Sequence, residues 1–418
     1  MTAPLPDFAA VGLSAPLLRA VQDLGYDAPT PIQLASIPAV LVGRDVHGLA
    51  QTGSGKTAAF VLPILEMFAR DASEPVRRRP VRALVLVPTR ELAAQVGEAF
   101  DDLGRHLVPR ARVCVAVGGV SINPQMMALR GGADVVVATP GRLLDLVAQN
   151  ALRLGEVEIL VLDEADRLLS LGFAEELARI LALLDRRQNL LFSATFPPGV
   201  QALAEELLDD PVRIAIDARE SLGEPRILER AIEVDAPRRT MLLRHLLATH
   251  AWSHVLVFVA SQHTADHVVD KLKRAGLAAA AIHGGLSQSA RTDALASFKA
   301  KRVQVLVATD LAARGLDIAQ LPAVVNYDLP RSAVDYLHRI GRTGRATETG
   351  TAVSFVTADT DAHFRLIEKR HRLVLARERI VGFEPVVRED ATPVPLGGVK
   401  GKRKSKKDKL REAAGRQK

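Results

Sequence analysis

The chain has 418 residues, of which 48% are hydrophobic and 25% are charged, a composition typical of a folded globular protein. Its one cysteine, Cys114, excludes an intrachain disulfide, and no apolar run approaches the roughly 18 residues of a membrane span. Residues 400–418 contain ten Lys/Arg and two Asp/Glu, so the net charge of +7 arises in this tail and the rest of the chain is close to neutral. Any nucleic-acid surface on the body must therefore be a local cluster of cations.

Short apolar runs alternate with helical patterns along most of the chain, starting with a run at 46–49. Continuous apolar strands joined by helices predict parallel sheets that helices cover on both faces. The first half has predicted strands at 83–87, 135–138, 159–162 and 190–192, and predicted helices at 90–103, 142–148 and 175–184. The second half has predicted strands at 255–259, 278–282, 303–307 and 323–326, and predicted helices at 264–275 and 289–299.

One interruption, at 217–225, replaces the apolar pattern with polar residues, glycine and proline, which predicts a linker. The fold class is therefore α/β, with one domain at 1–216 and a second at 226–385. No sequence repeat relates the two, so any duplication between them is structural. The segment 386–418 is predicted to be a basic tail that is disordered when free. The first ten residues lack the basic start and apolar core of a signal peptide, which predicts a cytoplasmic or nuclear protein. The tail run KRKSKK is compatible with a nuclear signal, but the compact body favours a bacterial cytoplasm.

The strongest local signal is the sequence AQTGSGKT at 50–57, which lies between the first apolar run and a predicted apolar helix at 58–68. Strand, glycine-rich loop and helix in this order are typical of a phosphate-binding loop. Lys56 would face the β- and γ-phosphates of a nucleotide, and Thr57 would offer its hydroxyl to Mg²⁺. The alternative is a glycine-rich loop without a ligand, and the strand–helix context argues against it. The other predicted contacts of the loop to nucleotide are Gln51, Thr52, Gly53, Ser54 and Gly55.

An acidic segment, DEAD at 163–166, follows the predicted strand at 159–162. The carboxyl end of such a strand faces the same crevice as the phosphate-binding loop. Asp163 is therefore predicted to bind Mg²⁺, and Glu164 to orient and deprotonate the water that attacks the γ-phosphate. Alternatively, the two acids only cap the next predicted helix, at 167–171. With the phosphate-binding loop present, the catalytic interpretation is favoured.

The segment HRIGRTGR at 338–345 carries three arginines at intervals of three residues. Arginines three apart on one helical face, with glycine beside them, form a clamp of planar donors for phosphate. An arginine supplied by a second domain would complete a catalytic site only when the domains close. The alternative is a solvated basic helix, which the spacing taken alone favours.

In this order the motifs resemble those of a superfamily 2 DEAD-box RNA helicase, and the resemblance covers about residues 8–375. The compact body and short basic tail are most similar to the bacterial RhlE-like subgroup. The resemblance implies two tandem RecA-like domains that use ATP and Mg²⁺ and bind RNA. The further segments that carry it are Phe8 with GY at 25–26 and PTPIQ at 29–33 (the Q motif), PTREL at 88–92, GG at 118–119, TPGR at 139–142, SAT at 193–195, VFVAS at 257–261, QSAR at 288–291, ATD at 308–310 and RGLD at 314–317.

The resemblance also implies roles for single residues. Gln33 would read the adenine edge, because an amide offers a donor and an acceptor together, and Tyr26 would stack on the ring. Asp317 would bind the ribose hydroxyls, and Arg342 and Arg345 the γ-phosphate. Coupling of the nucleotide state to domain closure would fall to Asp166, Ser193, Thr195 and His338. Contacts to the RNA backbone would fall to Thr89, Arg90, Gly119, Thr139 and Arg142 in the first domain and to Gln288, Arg291, Thr309 and Gly315 in the second.

The expected function is that of an ATP-dependent RNA helicase, a monomeric motor that closes on single-stranded RNA and separates short duplexes. Contacts to the backbone give grip without sequence readout, and contacts to 2′-hydroxyls favour RNA over DNA. Partners in ribosome assembly or RNA decay fit this role. Two alternatives stay open: a DNA helicase, which the wording of the Q motif, PTREL and HRIGRTGR disfavours, and an ATP-gated RNA clamp or chaperone, which shares every motif.

Overall fold

The architecture, taken from a computed structural model, has two α/β domains, each built on a seven-stranded parallel sheet. The structure describes residues 7–50, 53–71, 79–216, 227–313, 318, 321–344 and 349–386. The predicted α/β fold class with parallel sheets is confirmed. The predicted linker, and the predicted basic tail from residue 387 onward, lie outside the described residues.

The first domain alternates strands and helices from its first strand onward. Its strands are β1 (Val46–Leu49), β2 (Ala83–Leu86), β3 (Val113–Ala116), β4 (Val135–Ala138), β5 (Ile159–Leu162), β6 (Gln188–Ser193) and β7 (Val212–Ala215). Its helices are α1 (Ala15–Asp23), α2 (Pro31–Leu41), α3 (Lys56–Arg70), α4 (Arg90–Leu103), α5 (Asn123–Leu129), α6 (Pro140–Ala148), α7 (Ala165–Ser170), α8 (Ala174–Leu181) and α9 (Pro198–Leu207).

The second domain repeats this alternation. Its strands are β8 (Ile227–Glu233), β9 (Val255–Val259), β10 (Ala279–Ile282), β11 (Val305–Thr309), β12 (Ala323–Asn326), β13 (Gly350–Val356) and β14 (Arg377–Glu378). Its helices are α10 (Arg239–His250), α11 (Gln262–Arg274), α12 (Gln288–Lys299), α13 (Asp310–Ala313), α14 (Ala333–Ile340) and α15 (Asp361–His371).

The two sheets have the same topology. The strand order is β3-β4-β2-β5-β6-β1-β7 in the first and β10-β11-β9-β12-β13-β8-β14 in the second. Renumbered from its own first strand, the second order is identical to the first. The duplication that the sequence does not reveal is therefore present in the structure.

The central strands are buried on both faces, which explains their continuous apolar sequences. Every residue of β2, β4, β5, β9 and β12 is buried. Burial of each such aliphatic side chain contributes roughly 1.5–3 kcal/mol, so these strands hold the helices against both faces of each sheet. Cys114 in β3 is a buried free thiol, and burial raises its pKa.

The predicted strands and helices between 46 and 326 are all present, with boundaries shifted by at most three residues. Helices α4, α11 and α14 each begin at a Thr or Ser whose hydroxyl caps the first turn, at the carboxyl edge of a sheet. These caps aim the starts of the helices at the crevice, where the predicted functional residues lie. Among the described residues, no helix combines the length and hydropathy needed to cross a bilayer.

Candidate functional site

The phosphate-binding loop turns tightly between β1 and α3. Gly53 and Gly55 have φ angles of 79° and 92°, in the left-handed region that glycine adopts freely. A Cβ on Gly55 would lie 2.5 Å from Nε2 of Gln33, so no other residue fits there. Lys56 opens α3 and is buried, and its Nζ donates a hydrogen bond to the Ala50 carbonyl at 2.5 Å. The loop therefore brings backbone N–H groups, a helix N-terminus and an ammonium group together.

A cavity of about 460 Å³ lies over this loop, a volume typical of small-molecule sites. It is lined by residues of both domains, since Arg342 of the second domain closes one side. The structure brings together most of the predicted nucleotide contacts that it describes, and Ser54 lies in the same loop. The predicted residues in the cavity wall are Tyr26, Gln33, Gly53, Gly55, Lys56, Thr57, Asp163, Glu164 and Arg342.

Gln33 joins the Q motif to the phosphate-binding loop. Its Oε1 accepts the Thr30 N–H at 2.9 Å, and its Nε2 donates to the Gly55 carbonyl at 3.1 Å. A carboxamide can make four hydrogen bonds, and the described residues use one N–H and one lone pair, which leaves the other two for a nucleobase. The Tyr26 side chain at the rim is 42% exposed and offers a ring face for stacking.

The acidic side of the cavity is formed by the residues that follow β5. Asp163 is 2% exposed, and its Oδ1 accepts the Glu164 N–H at 2.9 Å. Burial raises the pKa of Asp163 to about 6, opposed by the charge of Lys56 and reinforced by that of Glu164. Glu164 has a φ of 51°, a strained conformation for a residue with a side chain. It occupies the N-cap position of α7 without a capping bond from its side chain, which argues against a mere helix cap.

Three of the four predicted coupling residues form one hydrogen-bond network. The Thr195 hydroxyl donates to Oδ2 of Asp166 at 2.6 Å, and the Ser193 hydroxyl donates to the Thr195 carbonyl at 2.7 Å. The Asp166 N–H donates to Oγ of Ser193 at 3.3 Å. The fourth, His338, lies across the cleft against Arg167, which follows Asp166 in the chain. Burial, together with the charge of Arg167, lowers the pKa of His338 to about 4, so the ring is neutral.

The prediction that the arginines of HRIGRTGR share one helical face is wrong. Helix α14 ends at Ile340, because the chain then turns to pair Thr343 with Leu321, and Arg342 lies beyond the helix. The solvated-helix alternative is also wrong, since Arg339 and Arg342 are 2% and 8% exposed. Arg342 lines the cavity, whereas Arg339 points into its own domain.

Arg339 anchors α14 to the second sheet. Its guanidinium donates to both carboxylate oxygens of Asp310, at 2.6 and 2.8 Å. It also donates to Oδ1 of Asn326 at 3.0 Å and to the Asp328 carbonyl at 2.6 Å. The first arginine of the motif is therefore structural, and the second faces the nucleotide cavity.

The predicted RNA contacts of the first domain lie together at the carboxyl ends of β2, β3 and β4. Thr89 caps α4, and the next residue, Arg90, packs its guanidinium directly on Gly119, where a Cβ would displace it. Thr139 Oγ1 accepts the N–H of the glycine before Gly119 at 3.4 Å. Nη2 of Arg142 donates to the Val120 carbonyl at 2.8 Å, while its Nη1 is buried without a hydrogen-bond partner among the described residues. This surface offers cationic N–H groups to an anionic backbone.

Two predicted RNA contacts of the second domain meet this surface across the cleft. Nη1 of Arg90 donates to Oε1 of Gln288 at 3.3 Å, and Nε2 of Gln288 donates to Oε1 of Glu91 at 3.3 Å. Nη2 of Arg291 lies 2.8 Å from the same Glu91 oxygen. Thr309 ends β11 at the carboxyl edge of the second sheet. The two domains therefore contact each other on this side through residues predicted to hold RNA.

Five predicted site residues, Gln51, Thr52, Gly315, Asp317 and Arg345, lie outside the described residues. Four residues were missed from the sequence, and each had a local signal. Glu91 lies within PTREL, and Gln95 lies one helical turn further along α4. Gln95 lines the cavity, and its Nε2 is buried without a hydrogen-bond partner among the described residues. Arg167 directly follows DEAD, and Asp335 lies one turn before His338. The last two contact each other across the cleft.

Comparison with known proteins agrees with the motifs. The family described as DEAD/DEAH box helicase matches residues 30–203, and the helicase conserved C-terminal domain matches residues 238–347. The DEAD-box ATP-dependent RNA helicase CshA of Bacillus cereus is 41% identical over 363 residues, which cover 87% of this chain and 67% of CshA. The chain belongs to the DEAD-box helicase family.

Other members of the DEAD-box family differ in length from this chain. DEAD-box ATP-dependent RNA helicase 28 of Oryza sativa subsp. japonica is 44% identical over 387 residues, 91% of this chain but only 47% of the rice protein. The chain thus spans about half to two thirds of the curated relatives it matches. The structure of S. cerevisiae Dbp5 bound to RNA and ADP BeF3 superposes with a TM-score of 0.78 and 30% identity, over 89% of this chain and 95% of the Dbp5 chain in that structure. The fold is therefore that of two tandem RecA-like domains.

Proposed function

We propose that this DEAD-box chain is an RNA-dependent ATPase that closes its two domains on single-stranded RNA and thereby separates short duplexes. One observation carries the proposal. Lys56 and Glu164 of the first domain and Arg342 of the second line a single cavity. A hydrolytic site shared by two domains is complete only when they meet, so closure and hydrolysis are linked.

ATP fits the cavity through distinct groups at its two ends. The N–H and lone pair of Gln33 that bond none of the described residues suit the adenine edge, and the exposed Tyr26 ring suits stacking. The loop amides, the N-terminus of α3 and Lys56 suit the phosphates. Arg342 supplies positive charge at the γ-phosphate end, and Arg345 is proposed to share this role.

Mg²⁺ fits beside Asp163 and Thr57. Asp163 is a buried carboxylate whose pKa is raised by burial, so a cation there would compensate its charge, and the Thr57 hydroxyl lines the same cavity. When bound, the ion neutralises charge that develops on the phosphates. Glu164 would then accept a proton from the attacking water, since its side chain makes no capping bond to α7.

RNA fits the cleft surface that contains Arg90, Gly119 and Arg142. Its guanidinium groups lie at the carboxyl ends of parallel strands, and contacts of this kind bind the backbone in any sequence. Gln288 and Arg291 reach the same surface from the second domain. A strand bound here touches both domains, which makes its binding depend on closure.

Finer assignments concern the subgroup, the cellular setting and the pathway. We propose that the chain belongs to the bacterial RhlE-like subgroup, acts in the cytoplasm as a monomer, and serves ribosome assembly or RNA decay. The similarity to bacterial helicases such as CshA supports a bacterial setting. Crosslinking the protein to RNA in its native cells and sequencing the bound RNA tests this, and enrichment of neither ribosomal nor messenger RNA would contradict it.

The activity is tested with the full chain and three matched cofactors: single-stranded RNA, single-stranded DNA of the same sequence, and none. We expect RNA to stimulate ATP hydrolysis about tenfold or more over DNA. A parallel assay follows displacement of a labelled strand from a short RNA duplex. ATPase without displacement would favour an ATP-gated clamp, and equal stimulation by DNA would favour a DNA helicase.

A further inference from the structure

Arg167 makes a contact between the domains that none of the proposed roles accounts for. It lies in the first helical turn after DEAD, and its Nη2 is 3.2 Å from Oδ1 of Asp335 in α14. The same nitrogen contacts Nδ1 of His338. The side chains of Arg167 and Asp335 are 13% and 14% exposed, so solvent screens this pair much less than an ordinary surface pair.

Both partners are held in place by their own domains. The Asp335 N–H donates to Oγ of Ser332 at 3.1 Å, and the Ser332 hydroxyl donates to Oδ2 of Asp335 at 2.8 Å, which turns Oδ1 toward Arg167. In the first domain, the Arg167 N–H donates to Oδ1 of Asp166 at 3.1 Å. Oδ2 of the same carboxylate accepts the Thr195 hydroxyl. The ion pair therefore connects the Asp166 network directly to α14.

The position of α14 determines where Arg342 lies. The bonds from Arg339 to Asp310 and Asn326 fix the helix to the second sheet, so it moves with its domain. Arg342 follows the helix within two residues, and its N–H donates to the Arg339 carbonyl at 3.2 Å. A displacement of α14 from the first domain would therefore carry Arg342 out of the nucleotide cavity.

We propose that Arg167 and Asp335 are positioning residues, whose ion pair sets the spacing between the DEAD segment and α14 and so holds Arg342 in the nucleotide cavity. This inference rests on the proposed ATPase function. Neither residue lines the cavity, so each acts through Arg342. A second contact between the domains, Glu91 with Arg291 at 2.8 Å, lies on the RNA side. Loss of the Arg167–Asp335 pair is therefore expected to lower kcat more than RNA affinity.

A double-mutant cycle on the full chain tests the pair. Arg167→Gln and Asp335→Asn remove the charges without creating repulsion, and the double variant closes the cycle. Each single variant should lower kcat for RNA-stimulated ATP hydrolysis about tenfold or more, as expected for breaking a shielded charge pair. The double variant should be no worse than the poorer single variant. Arg167→Lys should recover part of kcat, and Arg105→Gln, which breaks an exposed pair with Asp102, serves as the control.

Domain closure is followed separately by energy transfer between dyes on Glu175→Cys and Lys271→Cys, two exposed positions in different domains. The only native cysteine is buried, so labelling is selective. With an ATP analogue and RNA, the single variants should show a smaller closed fraction, while affinity for a fluorescent ATP analogue stays within about twofold.

Single variants within twofold of the parent in kcat, or effects that multiply in the double variant, would overturn the proposal. If the parent itself lacks RNA-stimulated ATPase, the proposed function fails, and the closed fraction alone then decides on the ion pair. In that case an unchanged closed fraction in both single variants would overturn it.

Discussion

Arg339→Met removes the guanidinium that anchors α14 while keeping an apolar side chain of similar length. Arg339 is 2% exposed and lies 4.9 Å from the Phe258 ring centroid, besides its bonds to Asp310, Asn326 and the Asp328 carbonyl. The substitution removes both hydrogen bonds that Arg339 donates to the Asp310 carboxylate. We therefore expect the substitution to lower the free energy of unfolding of the second domain without changing the nucleotide site directly.

Breaking a buried ion pair by removing one partner costs about 3–5 kcal/mol, and because Asp310 is 24% exposed we expect the lower part of that range. With a urea dependence of about 2 kcal/mol per molar, the unfolding midpoint of the second domain should fall by about 2 M. Trp252 is the only tryptophan and is buried in the second domain, so its fluorescence reports the unfolding of that domain alone. Urea titration of the parent and variant gives the difference directly.

Arg365→Met is the matched control, because Arg365 pairs with Asp361 at 2.8 Å but is 73% exposed. An exposed pair of this kind contributes about 0.5 kcal/mol or less. If Arg339→Met lowers the urea unfolding midpoint no further than Arg365→Met, Arg339 does not hold α14 to the second sheet. The assignment of a structural role to Arg339 and a nucleotide-binding role to Arg342 would then be incorrect.

Three further outcomes are expected. Lys56→Ala removes the ammonium group that faces the phosphates. Titration with a fluorescent ATP analogue should then show at least tenfold weaker binding, and RNA-stimulated ATPase activity should be lost. Normal turnover in this variant would exclude phosphate binding by Lys56. Glu164→Gln should lower kcat roughly 10²–10⁴-fold, as for loss of a general base, with ATP affinity nearly unchanged, and a parent-like kcat would assign the base elsewhere. Lowering the pH from 7 to 5 should weaken domain closure by about 2 kcal/mol through protonation of His338. The pKa of His338 is about 4 when the ring is buried between the domains and has its ordinary value of 6.5 when they part. The charged groups that face the ring are Arg167, Asp166, Asp335 and Arg342. The closed state binds fewer protons than the open state, so closure is favoured above pH 6.5 and is lost as the pH falls toward 4. Energy transfer between the two domains measures the closed fraction at each pH. An equal pH response in His338→Gln would show that His338 is not the group responsible.

The central strands could be predicted because all their residues are buried. The sequence of β5 is ILVL, and that of β9 is VLVFV, with no polar residue to obscure the pattern. The missed strands β7 and β8 are of a different kind, whereas β3 and β13 were missed although β3 is apolar and β13 is largely buried. β8 has the sequence ILERAIE, whose charged residues occupy half-exposed positions next to the short strand β14, and β7 alternates buried and exposed residues. Apolar runs alone do not identify strands near the edge of a sheet.

The parts of the site that could be predicted are those whose residues lie close together in the chain. AQTGSGKT and DEAD each form one local structure, and the cavity between them follows from the parallel sheet. The contacts Arg167–Asp335 and Glu91–Arg291 join residues that are far apart in the chain and depend on how the domains meet. The end of α14 at Ile340 likewise depends on a tertiary pairing of Thr343 with Leu321.

The central claim is that ATP closes the two domains on RNA, and RNA affinity in different nucleotide states tests it most directly. Fluorescence anisotropy of a labelled single-stranded RNA is titrated with the full chain in the presence of ADP or of a non-hydrolysable ATP analogue. We predict binding about tenfold or more tighter with the ATP analogue, because only a nucleotide with a γ-phosphate engages Arg342 and draws both RNA surfaces together. Equal affinity in the two states would contradict the account.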